Sequence, residues 1–161
     1  MNMKKIFIII LTLFSTLLFS YEKMKLKAVV LWVYDGDTIK IRLRNGRKYK
    51  IRFWGVDAPE NSTYRFGYKQ RYGRRAMLYV KRKIKGKTIL LVTYQRRGKV
   101  LKDKFGRILA YVYYKGKCLF KELLLKGLVK VYRGKLCTRY DEFVRYEKKA
   151  RIRKKGIWSL R

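Results

Sequence analysis

Acidic side chains are scarce in this chain of 161 residues, which sets 10 Asp and Glu against 44 Lys and Arg. Even so, Asp35, Asp37, Asp57 and Glu60 fall within one short stretch. Asp35-Gly36-Asp37-Thr38 sets carboxylates on either side of a glycine turn, and Asp57-Ala58-Pro59-Glu60 sets more of them five residues after Arg52. Asp103-Lys104-Phe105-Gly106-Arg107 brings a further acid and a further arginine. Each motif alone reads as a turn, a helix start or a solvated strand residue. Together they are the residue types that hard-cation chemistry on a phosphodiester needs. Carboxylate and carbonyl oxygens suit Ca²⁺ or Mg²⁺, and a site with few carboxylates is weak. Such an ion would polarise a phosphoryl oxygen, another carboxylate would orient or deprotonate water, and arginines would stabilise the charge of a pentacoordinate phosphate.

Composition narrows the alternatives. The chain has no His, which excludes Ser-His and Cys-His nucleophilic pairs, a His-ligated zinc and a histidine general base. Cys118 and Cys137 are too few for a structural zinc and form no CxxC pair; they are either one disulfide or two buried thiols. A formal charge of +34 and a sequence pI near 10.5 point to a polyanionic partner, either nucleic acid or an anionic membrane surface. With 48% hydrophobic residues and one Pro, the chain has the composition of a folded domain rather than a disordered one.

The elements that must position these groups begin after residue 20. Lys4 and Lys5 precede the apolar run Ile6 to Phe19, which reads as a secretory signal peptide or a short N-terminal anchor over residues 1–20. The folded domain is expected over 21–161, outside the cytoplasm. Met24 to Val33 and Thr38 to Leu43 read as strands. Asn45-Gly46 is a hairpin signal leading into a third strand, Tyr49 to Val56, with Ile51 and Phe53 on one face and Lys50, Arg52 and Trp54 on the other. Tyr72 to Lys85 has helical spacing at Ala76, Val80 and Ile84 and ends at Gly86. Thr88 to Tyr94 and Arg107 to Tyr114 read as strands separated by a basic loop, Gln95 to Gly106. Leu119 to Val131 and Asp141 to Lys155 read as helices. The fold class is therefore α+β, a small five-stranded OB-type β-barrel with three α-helices.

Five motifs occur in order from about Lys25 to Ser159: DGDT, IRFWGVDAPE, YGRRA, DKFGRILAYVY and a closing GIWS. In these the chain resembles the staphylococcal nuclease-like, or thermonuclease, family. The resemblance implies an OB-fold hydrolase that depends on Ca²⁺ and cuts DNA and RNA to leave 3′-phosphates. It implies Asp37 and Asp57 as direct calcium carboxylates, with Ala58 contributing its backbone carbonyl. It also implies Glu60 as the water-handling general base, Arg52 and Arg107 as the phosphate-binding arginines, and Asp35 as a carboxylate supporting the ligands. Ala58 stands where the family has a Thr and Phe105 where its best-known member has a Tyr, so a hydroxyl and a phenol are lost.

Two functions from different classes follow. One is a secreted nuclease; the other is a non-catalytic nucleic-acid-binding OB-fold domain at the cell surface. Every acidic and arginine position of the motifs carries the required group, which favours the enzyme. The partner is expected to be DNA and RNA, held mainly through the backbone in single-stranded or breathing regions, by a monomer without an obligate protein partner. Arg71, Arg74 and Arg75 are among the cations that would make sequence-independent contacts.

Overall fold

The computed structural model describes residues 21–61, 70–134 and 137–159; the leader expected over residues 1–20 lies outside them. The first strand, β1, runs from Glu22 to Val33, followed by β2 (Thr38–Leu43) and β3 (Lys48–Phe53) as an antiparallel meander. Gly46, with φ of 81°, makes the β2–β3 turn that Asn45-Gly46 announces. After the short β4 (Val56–Asp57) comes helix α1 (Gly73–Ile84), then β5 (Thr88–Arg96), β6 (Lys99–Val100) and β7 (Ile108–Tyr114). A two-residue strand, β8 (Lys117–Cys118), leads into α2 (Leu119–Leu125). The last elements are β9 (Lys130–Val131), α3 (Tyr140–Ile152) and a 3-10 turn over Gly156–Ser159.

The barrel closes because β1 is long enough to serve two neighbours. Its C-terminal half pairs with β2 and its N-terminal half with β5, both antiparallel. β5 pairs with β7, and β7 returns to β3 in parallel, opposing Ile51 to Ile108 and Phe53 to Ala110. The circuit β1-β2-β3-β7-β5 therefore leaves no free edge among its strands, as an OB-type barrel requires. A register shift between Val30 and Trp32 puts a bulge into β1, the irregularity that lets a strand bend between two partners.

Alternation fills the interior. Ile39, Ile41, Ile51, Phe53, Leu91, Ala110 and Val112 are buried, while the residues between them on β2 and β3 point outward. α1 closes one side with Ala76, Val80 and Ile84, all fully buried. α2 and α3 close another, where Phe120 stacks on Phe53 at 4.8 Å and meets Phe143 at 5.8 Å. Truncating any of these rings to Ala costs about 3–5 kcal/mol.

Three expectations from sequence need correction. The third strand stops at Phe53, because Gly55 turns at φ of 89°, and Val56–Asp57 starts a separate pairing with β9. The basic loop 95–106 is mostly a hairpin: β5 continues to Arg96 and returns as β6 through Arg97 and Gly98, both at positive φ. The helix expected to run from Leu119 to Val131 ends at Leu125. Gly127 takes φ of 61° and sits so close to the C-terminal turn that a Cβ on it would lie 2.0 Å from the Lys155 carbonyl oxygen. Its own carbonyl accepts from the Ile157 N–H at 2.9 Å. Cys118 and Cys137 are free thiols, the latter buried. Among the described residues, no helix is long and apolar enough to cross a membrane.

Candidate active site

The β1–β2 turn carries the first carboxylates. Gly36 is buried in contact with α1 and the segment after β4: a Cβ there would lie 2.7 Å from that of Ala76 and 2.8 Å from that of Ala58. Glycine at this position is thus what lets the turn, the helix and the 57–60 segment meet. Asp35 accepts a hydrogen bond from the Asp37 N–H at 2.9 Å, which fixes the turn. The Asp37 side chain points inward and is buried. Its Oδ1 accepts from the Thr38 hydroxyl at 2.9 Å and its Oδ2 from the Ala58 N–H at 2.6 Å.

Arg52 projects from β3, whose register sets it opposite Thr38. One end of its guanidinium contacts Asp37 Oδ2, and the other donates to Asp57 Oδ1 at 2.7 Å. Asp57 is held by the β4–β9 pairing, which also brings Lys130 Nζ to 3.5 Å from its Oδ2. Burial pushes the Asp37 carboxyl up to about 7, with Arg52 opposing the shift and Asp35 adding to it. For Arg52, burial works against the charge, but Asp37 and Asp57 more than offset it, so its pKa is raised and the guanidinium stays charged.

Arg107 comes from the loop just before β7, which runs parallel to β3 and sets Leu109 opposite Arg52. Asp103 folds its loop: Oδ1 accepts from the Phe105 and Arg107 N–H groups at 2.9 and 3.0 Å, and Oδ2 accepts from Arg107 Nε at 2.6 Å. Arg107 Nη1 then reaches the Thr38 hydroxyl at 3.3 Å. Thr38 is the joint between the second arginine and Asp37. Glu60 lies beyond Pro59, its N–H donating to Gln70 Oε1 at 3.0 Å while its carbonyl accepts from the Gln70 N–H at 2.9 Å. Gly73 permits the approach of α1, since a Cβ there would lie 2.4 Å from the Glu60 carbonyl oxygen. A cleft of about 240 Å³ opens beside this segment, lined by Asp57, Ala58, Pro59, Gln70, Arg71 and Lys130, with Ile157 at its edge.

Among the described residues, no three His, Cys, Asp or Glu side chains converge as a metal cage. The donor set is two carboxylates close enough to share one guanidinium, with oxygen as the sole ligand type. That chemistry fits a weakly held hard cation completed by a backbone carbonyl and water, and does not fit zinc.

The family described as staphylococcal nuclease homologue matches residues 50–160. This chain belongs to that family. It is 36% identical over 132 residues to a thermonuclease of Staphylococcus hyicus, an alignment covering 81% of this chain and 74% of that protein. It is 37% identical over 127 residues to endonuclease YncB of Bacillus subtilis, covering 78% of this chain and 58% of the relative. An uncharacterized protein of Methanocaldococcus jannaschii is 33% identical over 149 residues, covering 81% of this chain and 70% of its own length. Family membership and these names support a nuclease.

Of the residues singled out from sequence, Asp35, Asp37, Arg52, Asp57, Ala58 and Arg107 meet around one point on the barrel rim, and Glu60 follows on the same segment. Gly73, Gln70 and Lys130 also build the site without a local signal in the sequence, and Gly36 and Thr38 do more there than their place in a turn motif indicates. Thr38 was visible as the last residue of DGDT, but its link to Arg107 spans 69 positions and needs the fold.

Proposed function

We propose that this chain is an exported, metal-dependent nuclease that hydrolyses phosphodiester bonds of DNA and RNA with water and leaves 3′-phosphates. The observation that carries the reading is that one guanidinium, Arg52, reaches both Asp37 and Asp57, while Arg107 is tied through Thr38 to the same Asp37. Three separated motifs thus converge on a point where two carboxylates face two arginines.

Asp37, Asp57 and the Ala58 carbonyl are the groups that would hold Ca²⁺, and Asp35 supports them by fixing the turn. When bound, the cation supplies Lewis-acid polarisation of a phosphoryl oxygen. Glu60 orients the attacking water and takes its proton. Arg52 and Arg107 donate to the phosphate oxygens, matching the negative charge that builds up as the fifth oxygen–phosphorus bond forms. The P–O5′ bond then breaks and the 5′-oxygen leaves, taking a proton from solvent to become a hydroxyl, with the phosphate kept on the 3′-side. The positive surface draws the polyanion to this rim, and the protein acts as a monomer. Residues 1–20 serve as the export signal or anchor.

Cleavage of single-stranded DNA and RNA, measured with Ca²⁺ and with excess chelator, tests the reading. Calcium-dependent cutting abolished by chelator is the expected result. Salt-sensitive binding without any metal-dependent cutting would instead establish a nucleic-acid-binding domain.

A further inference from the structure

The outer face of the β2–β3 hairpin breaks a rule of strand pairing. Register sets Lys40 opposite Lys50 and Arg42 opposite Lys48, so like charges face each other directly in two successive outward pairs. Such pairs are destabilising, and opposite charges or neutral groups are the usual occupants. None of these four cations forms an ion pair with an acidic side chain among the described residues. The next pair on the same face of the ladder is Thr38 with Arg52, which belongs to the candidate active site. The cationic row therefore begins at the proposed phosphate-binding arginine and runs away from it for about 13 Å at a strand rise of roughly 3.3 Å per residue.

Exposed aromatic rings border the same row. Trp32 on β1 is opposite Lys40 in the register and 50% exposed. Lys85, just after α1, and Lys81 within it stand over its ring at 4.7 and 5.9 Å. Tyr34, 38% exposed, lies under Lys50 Nζ at 5.3 Å and directly precedes Asp35. Large exposed rings set among unpaired cations are the components of a single-strand binding surface, in which bases stack and cations follow the backbone.

We infer that the β2–β3 outer face, with Trp32 and Tyr34, is a backbone-binding track for single-stranded nucleic acid extending the substrate site beyond the scissile phosphate. The inference rests on the nuclease reading for its orientation, since continuity with Arg52 is what favours a nucleic-acid strand over an anionic membrane. Like-charge repulsion across the hairpin is relieved when phosphates lie over it. The consequence is a preference for long substrates over short ones.

The test is the variant K40Q/R42Q/K48Q/K50Q, which leaves every proposed catalytic group in place. Removing four backbone contacts should weaken binding of an oligonucleotide of about 20 nucleotides roughly tenfold at moderate salt and reduce its salt slope by about 2–3. Binding is measured in chelator, so this arm is decided even if the protein cuts nothing. Cleavage of a dinucleotide should keep its kcat/KM within about twofold of the parent, while KM for the long oligonucleotide rises. The thermal midpoint should equal or exceed that of the parent, because repulsion has been removed. Unchanged long-strand affinity and salt slope would overturn the track. So would loss of binding to phosphatidylserine vesicles with oligonucleotide binding intact, which would assign the face to a membrane. An equal loss on the dinucleotide would also overturn it, by showing that the substitutions act on the catalytic centre.

Discussion

Arg52 Nη2 donates to Asp57 Oδ1 at 2.7 Å while the other end of the same guanidinium contacts Asp37. The arginine is thus the counter-ion of both proposed calcium carboxylates. Arg52→Gln removes it, leaving the buried Asp37 without its cation and Asp57 with only the more distant Lys130 at 3.5 Å. The expected cost without metal is about 3 kcal/mol, the penalty for breaking a buried pair from one side. Calcium should then stabilise the variant more than the parent, because it supplies the missing charge. Thermal unfolding of both proteins with Ca²⁺ and with chelator reads the difference; an equal calcium shift in the two would refute the shared-cation arrangement.

Glu60→Gln tests the proposed water-handling group. The amide keeps the shape of the side chain and leaves the backbone bonds to Gln70 untouched, but it cannot accept a proton. A fall in kcat of several orders of magnitude is expected, with oligonucleotide affinity nearly unchanged. Turnover close to that of the parent would remove Glu60 from the chemistry.

Gly36→Ala tests how the carboxylate turn is seated. Its φ lies outside the left-handed region, so the penalty is steric: the new methyl would meet the Ala76 and Ala58 Cβ atoms at 2.7 and 2.8 Å. Overpacking of this kind costs about 1–3 kcal/mol. Because Ala58 follows Asp57 and its N–H holds Asp37, the same shift should lower activity more than the stability loss alone explains. Folded protein at working temperature, quantified by circular dichroism, separates the two effects.

Much of the barrel was legible in the sequence because its strands alternate cleanly. Ile39 and Ile41 against Lys40, and Ile51 and Phe53 against Arg52, fix which face is core. What the sequence did not show were features set by contacts between distant segments. Gly127 ends α2 where it does because the Lys155–Gly156 backbone packs on it, and neither residue signals the other locally. The site was legible as residue types, since scarce carboxylates in a basic chain stand out. Its joints were not: Thr38 linking Asp37 to Arg107, and the β4–β9 pairing that carries Asp57, depend on closure of the barrel and on Glu147. That buried carboxylate accepts the Val131 N–H at 2.5 Å and so anchors β9 to α3.

The Arg139–Glu142 pair gives a pH dependence away from the site. Both Arg139 Nε and Nη2 donate to Glu142, each at 2.7 Å, and the Tyr146 hydroxyl donates to it at 2.9 Å. The hydrogen bonds from Arg139 hold the Glu142 carboxyl below its ordinary value of 4.5, against burial, which pushes the other way. A carboxyl lowered in the folded state contributes stability that is fully present above its unfolded value and is lost as pH falls through the folded one. Glu142→Gln should therefore cost about 1–2 kcal/mol at neutral pH, discounted for partial exposure. The gap between parent and variant should close in acid below the lowered value, where both side chains are neutral. Other carboxylates titrate in the same range but are common to both proteins and cancel in the difference. Urea unfolding of the two proteins across a pH series measures it, and a gap that persists undiminished in acid would show that packing, not the charge of Glu142, carries the contact.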